Sequence, residues 1–237
     1  MIETKPEMSN VSLEITTDII LLDLVGYSLL NNEEQLRAVE VLHSDLTKEI
    51  NFIAEIANLR NCELVLDLVP TGDGLYVLVN PQICGYGIPL AISIRNYLLW
   101  FASHQPDRLY HGVRVAVHMG KVLSFQGVNE RRNYVGDGMN DCARLLSVAD
   151  EAAVRFCGDT NYVIASEAAC VWFHRLFADD KAKQFLATMK FKMSSQYQIT
   201  DKHRKIHNVH LVDAFRLAFI PPPNFLRPRK RATTSNA

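Results

Sequence analysis

Ile15-Thr-Thr-Asp-Ile-Ile-Leu-Leu-Asp23-Leu-Val-Gly26-Tyr27-Ser28 is the stretch from which the fold is read. Its Ile- and Leu-rich run has the character of a buried strand, and the run stops at a single aspartate. Gly26 permits a tight turn, and a helical pattern begins a few residues later. A carboxylate at the mouth of a strand, followed by a turn with free backbone N–H groups, suits a cation and a phosphate chain. A strand capped by a solvated aspartate is the plainer alternative.

Working outward, Asn31 or Asn32 can cap a helix whose first turn holds Glu33 and Glu34, where the helix dipole favours them. Leu36, Val39, Leu42, Leu46, Ile50 and Ile53 recur at spacings of three and four and predict a face packed on a sheet. Cys62–Val69 and Leu75–Val79 are short apolar runs joined by Pro70-Thr71-Gly72-Asp73-Gly74, a hairpin signal. Gly85 and Gly87 precede a second helix, Ile88–Phe101, with Leu90, Ala91, Ile94, Leu98 and Phe101 inward. Val113–His118 is a strand that Lys121–Phe125 continues, and Gly127–Asn133 is a polar hairpin tip. Glycines then lead into a helix on which Met139, Cys142, Ala143, Leu146 and Ala149 keep helical spacing. A short strand at Val163–Ser166 and a helix at Glu167–Phe177 follow. Residues 185–214 alternate apolar and polar and end in an expected edge strand, His207–Ala214.

The pattern predicts one α+β domain of ferredoxin-like βαββαβ type with extra C-terminal strands and a helix. It spans residues 15–215, between a flexible arm (1–14) and a basic, Pro-rich tail (216–237).

A net charge of −1 argues against a general nucleic-acid binder, and 48% hydrophobic with 22% charged residues is ordinary for a soluble protein. Residues 1–14 do not read as a signal peptide, and no apolar run reaches the ~18–20 residues of a membrane span. The five cysteines are scattered without a CxxC pair, as expected of reduced cytoplasmic thiols.

Asp23 and Asp73 each sit at a strand end or beside it, and in a βαββ unit the two could share a face. Facing carboxylates repel unless a divalent cation lies between them. Asn140 and Arg144, one helical turn apart, can present an amide and a guanidinium together to a ribose and a charged phosphate. The plain alternatives are a hairpin Asp73, an Asn140 that caps its helix, and an Arg144 in a surface ion pair. Lys121 is either near a phosphate or a solvated strand end. Lys202, in the run Lys202-His203-Arg204-Lys205, is either a triphosphate clamp or part of a charged loop. His118 reads as a satisfied buried histidine.

Four segments together resemble the catalytic domain of the class III adenylyl/guanylyl cyclases, over about residues 15–168. They are Asp23-Leu-Val-Gly26-Tyr27-Ser28, Thr71-Gly72-Asp73-Gly74, Val113-Arg-Val-Ala-Val-His118-Met-Gly120-Lys121-Val, and Gly136-Asp-Gly-Met-Asn140-Asp-Cys-Ala143-Arg144-Leu. The resemblance implies a head-to-tail homodimer that cyclises a nucleoside triphosphate in clefts between subunits. Two divalent cations per site, Mn²⁺ or Mg²⁺, would be held by Asp23, Asp73 and the Leu24 carbonyl of one chain. Asn140 and Arg144 would come from the other chain. The backbone of Val25, Gly26, Tyr27 and Ser28 would cradle the β- and γ-phosphates, with Lys121 and Lys202 as further triphosphate contacts. A degenerate cyclase fold that only binds nucleotide or a partner is the alternative.

Relatives that use ATP place a lysine four residues before the second metal aspartate and an Asp or Thr seven before the asparagine. Here those positions hold Val69 and Asn133. A valine cannot donate to adenine, and an atypical adenylate cyclase would need another base contact. The pattern is similar to the small bacterial pyrimidine cyclases of antiphage defence, which implies UTP, then CTP, as substrate. Their cyclic product is read by a separate effector.

Overall fold

The computed structural model describes residues 13–56, 59–104, 110, 112–127, 130–148, 163–176, 189–201 and 203–216. The expected arm up to residue 12, the tail from 217, Ala149 and Lys202 fall outside them.

The opening run forms strand β1, Leu13–Leu24, and a 3-10 turn at Tyr27–Leu29 leads into α1, Asn32–Ile56. Asn31 caps that helix: its Oδ1 accepts from the N–H groups of Glu33 and Glu34, and Glu34 Oε2 accepts from Asn31 N–H. The inward stripe of α1 begins at Ala38 and runs through Leu42, Leu46, Ile50 and Ile53. Leu36, expected inward, is 61% exposed. At 3.6 residues per turn it stands about 120° from Leu42.

Next come α2, Asn61–Leu64, then β2, Val65–Pro70, and β3, Gly74–Val79. The strand expected from Cys62 therefore starts later, because Glu63 Oε2 accepts from Arg60 N–H and closes a helical turn first. The second long helix, α3, is Gly87–His104, and it packs against α1. Strand β4 is continuous from Val113 to Gln126 and pairs with β5, Arg132–Val135. Arg132 and Asn133 are thus strand residues and not part of a hairpin tip. Then follow α4, Asp137–Val148; β6, Val163–Ser166; α5, Glu167–Leu176; β7, Met189–Met193; β8, Tyr197–Thr200; and β9, Ile206–Arg216.

The strands form one sheet in the order β2-β3-β1-β4-β6-β9-β7, with β5 on β4 and β8 on β9. β9 is not the edge strand its alternation suggested: β6 pairs on one side and β7 and β8 on the other. One sheet face buries Ile20, Leu22, Val77 and Val115 beneath α1, α3 and α5. The other buries Ile19, Leu21, Leu78 and Ala116 beneath α4. Alternation along the strands makes two cores from one sheet. Among the described residues, no helix is long and apolar enough to cross a membrane.

Candidate active site

Asp23 follows Ile19 and Leu21 on the face of β1 that carries α4, at the point where that strand runs out. Its register partner on β3 is Gly74, and Leu24 N–H donates to Asp73 O at 3.0 Å. A Cβ at position 74 would lie 1.9 Å from the Leu22 carbonyl oxygen, so only glycine lets the β2–β3 turn come this close. That approach brings the Asp73 carboxyl against Asp23. Burial raises the Asp23 pKa, the Arg114 guanidinium opposes that rise, and the neighbouring Asp73 adds to it.

Arg114 is the register partner of Asp23 on β4, and its Nε donates to Asp23 Oδ2 at 2.9 Å while Nη2 reaches the same oxygen. It is a member of the candidate site that sequence reasoning missed. Its signal was present as the single charge in Val-Arg-Val-Ala-Val-His, but only the β1–β4 register points it at Asp23.

After Leu24 the chain turns at Gly26, whose φ of 83° is left-handed. Val25 N–H donates to Gly112 O at 3.0 Å, so this amide, expected to help cradle phosphates, is engaged within the fold. Leu29 N–H and Leu30 N–H close the turn on Gly26 and Tyr27 carbonyls. The N–H groups of Gly26, Tyr27 and Ser28 have no acceptor among the described backbone bonds.

The second half of the site stands on α4. Gly138 lets this helix lie on the sheet, since a Cβ there would meet Ile19 Cδ1 and Lys121 O at 2.7 Å each. Asn140 lies inside the first turn and its N–H donates to Gly136 O, so it is not the helix cap; its side chain is exposed. Arg144, one turn on, is 26% exposed at its side chain and bonded to two carboxylates. Nη1 donates to Asp141 Oδ1 at 2.8 Å, and Nε lies 3.3 Å from Asp201 Oδ2. Lys205 Nζ donates to Asp141 Oδ2 at 2.5 Å, and His207 Nε2 lies 3.1 Å from Asp201 Oδ2. Burial opposes charge on both acids, yet the cations and N–H donors win: Asp141 is held below the usual carboxylate range and Asp201 at about 2. None of these partners was expected from sequence.

No described contact joins Asp23 or Asp73 to Asn140 or Arg144. Lys121 pairs with Thr16, seven positions along β1 from Asp23, or roughly 23 Å of strand. Its Nζ donates to Glu14 Oε1 at 2.7 Å. Val69 lies on β2 opposite Tyr76, while Asn133 lies on β5 opposite Phe125, its amide oxygen accepting from Tyr134 N–H. His118 is half-buried, its Nδ1 is buried without a hydrogen-bond partner, and burial pushes its pKa down to about 4. The expectation of a satisfied histidine is corrected on that point. Among the described residues, no group of three His, Cys, Asp or Glu side chains converges on one point.

No protein-family model matches the sequence, and no curated protein does. Solved structures do match in fold. One is a bacterial light-regulated adenylyl cyclase, with TM-score 0.56 and 16% identity over 86% of this chain and 54% of that one. A second is the catalytic core of a rhodopsin-guanylyl cyclase with converted specificity in complex with ATPαS, with TM-score 0.54 and 13% identity over 86% and 98%. A third is the adenylate/guanylate cyclase/hydrolase from Silicibacter pomeroyi, with TM-score 0.50 and 17% identity over 85% and 98%. The chain shares the fold of these cyclase domains, as its four motifs implied.

Proposed function

We propose that this chain is a nucleotidyl cyclase: the ribose 3′-oxygen of a nucleoside triphosphate bonds to the α-phosphorus, the 3′-proton departs, and pyrophosphate leaves. The observation that carries this reading is the division of the site. Asp23 and Asp73 meet at the end of β1, whereas Asn140 and Arg144 stand together on α4 and touch neither. A head-to-tail homodimer would supply both halves to each of two sites.

Asp23 and Asp73 repel one another and reach solvent, which makes them a donor set for hard divalent cations, with the Leu24 carbonyl as a third oxygen. Two Mg²⁺ or Mn²⁺ ions per site, when bound there, lower the pKa of the attacking hydroxyl and neutralise the phosphate chain. The chain's own groups divide the remaining work. Arg114 fixes the Asp23 carboxylate. The N–H groups of Gly26, Tyr27 and Ser28 bind triphosphate oxygens, with Lys202 as a further contact. Lys121, roughly 23 Å of strand from Asp23 in its own chain, would have to come from the other chain, as Asn140 and Arg144 do. Asn140 orients the ribose, and Arg144 stabilises charge that builds on the phosphoryl oxygens.

For the base, the aliphatic Val69 disfavours adenine, and the Asn133 amide can both donate and accept. UTP is the favoured substrate and CTP the next, with the cyclic product acting as a messenger for a separate effector in antiphage signalling. Purified protein offered each of the four ribonucleoside triphosphates with Mn²⁺, with products identified by mass, tests this. Cyclic UMP is expected to dominate, and Asp73→Ala to make none. No cyclic product from any of them, with wild type equal to Asp73→Ala, overturns the enzyme. ATP turning over fastest overturns the base argument.

A further inference from the structure

We infer that Asp201, in the turn between β8 and β9, is a positioning residue for Arg144 and fixes where that guanidinium is presented to a site completed by the other subunit. The inference rests on the reading of Arg144 as the charge-stabilising side chain.

The Asp201 side chain is 1% exposed, and both of its oxygens are used. Oδ1 accepts from the N–H groups of His203 at 2.8 Å and Lys205 at 2.9 Å. Oδ2 faces Arg144 Nε at 3.3 Å and His207 Nε2 at 3.1 Å. The backbone closes the same turn: Asp201 N–H donates to Lys205 O and Arg204 N–H donates to Asp201 O, with Arg204 at φ 63°. A non-glycine residue held left-handed marks a turn that its surroundings over-determine. The carboxylate is therefore a fixed point, unlike a mobile surface acid.

From that point the hold extends to α4. Asp201 takes Arg144 at Nε and Asp141 takes it at Nη1, which leaves Nη2 without a described contact. Lys205, from the same turn, bonds the other oxygen of Asp141, so α4 and the β8–β9 turn are joined twice. An arginine side chain has several rotatable bonds whose freedom must be lost when its guanidinium is fixed. Two anchors remove most of that freedom before substrate arrives, and preorganised charge is what stabilises a transition state.

The alternative is a bridge that merely staples the turn to α4, and Asp201→Asn separates the two. The asparagine Oδ1 can still accept from the His203 and Lys205 N–H groups, so the turn is kept. Its Nδ2 then meets the Arg144 Nε donor, and the hold on the guanidinium is lost. The expected result is a kcat lowered about tenfold to a hundredfold with KM within about twofold, since the interaction serves the transition state alone. Mixed dimers supply the second readout. An Asp201→Asn chain mixed with an Asp23→Ala chain should recover activity, because one site keeps Asp23 from the first and an intact Asp201–Arg144 pair from the second. Mixed with Arg144→Ala it should not recover. Recovery also proves that the Asp201→Asn chain folds and dimerises. Unchanged kcat in Asp201→Asn, no recovery with Asp23→Ala, or equal recovery in both mixtures overturns the inference. Failure of the underlying functional reading looks different: the wild type itself makes no cyclic nucleotide.

Discussion

At Asp23 a half-buried carboxylate faces a second carboxylate and a guanidinium at once. Burial and Asp73 raise its pKa, and Arg114 is the counterweight. Asp73→Asn should therefore cut cyclase activity at least about a hundredfold while leaving the thermal midpoint unchanged or higher, since it removes a repulsion together with an oxygen donor. A clear loss of thermal stability would contradict the crowding of the two acids. Arg114→Ala leaves Asp23 without its counter-charge. Charged hydrogen bonds contribute about 1.5–3 kcal/mol, but partial exposure of both side chains screens this pair, so about 1 kcal/mol is expected in urea unfolding. An unshifted midpoint would show that the pair contributes nothing. Both aspartates were visible in the sequence because turns and strand ends have local signatures. Arg114 was not singled out, because its meaning depends on a strand register ninety-one positions away in sequence.

At the scale of elements, Asp18 ties β1 to the start of α3. Its Oδ2 accepts from the N–H groups of Gly85 at 2.5 Å and Gly87 at 3.2 Å, and burial raises its pKa from 3.8 to about 6 in spite of them. The folded state thus holds the Asp18 proton more tightly than the unfolded chain does. Stability from this group is fully present below about pH 4, falls as pH rises from about 4 to about 6, and is flat above. A shift of about two pK units corresponds to about 3 kcal/mol at most. Asp18→Asn keeps an acceptor for the two N–H groups and should flatten that window, as read from denaturant unfolding at pH 4 and pH 7. An equal pH dependence in both proteins would remove Asp18 from the account. The helices and most strands were legible because periodicity and caps are local, as the Asn31–Glu34 box shows. The neighbours of β9 were not, since alternation reports that a strand has two faces and says nothing of what pairs at its edges. The partners of Arg144 escaped for the same reason: Asp201 and Lys205 look like loop charges until β8 and β9 fold back onto α4.

At the scale of the whole molecule, the two groups of candidate side chains lie on one sheet face yet have no described contact with each other within one chain. The carboxylates sit where β1 meets the β2–β3 turn. The amide and the guanidinium sit on α4, which alone covers that sheet face among the described helices. Two copies related head to tail would place each group opposite its complement. The decisive measurement mixes Asp23→Ala and Arg144→Ala chains, each inactive alone. In verified mixed dimers one interface keeps Asp23 and Asp73 from the second chain and Asn140 and Arg144 from the first, so cyclic nucleotide synthesis should return to at most about half the wild-type rate on the two-fold symmetry of such a dimer. Mixed dimers that form and stay inactive would contradict the shared site.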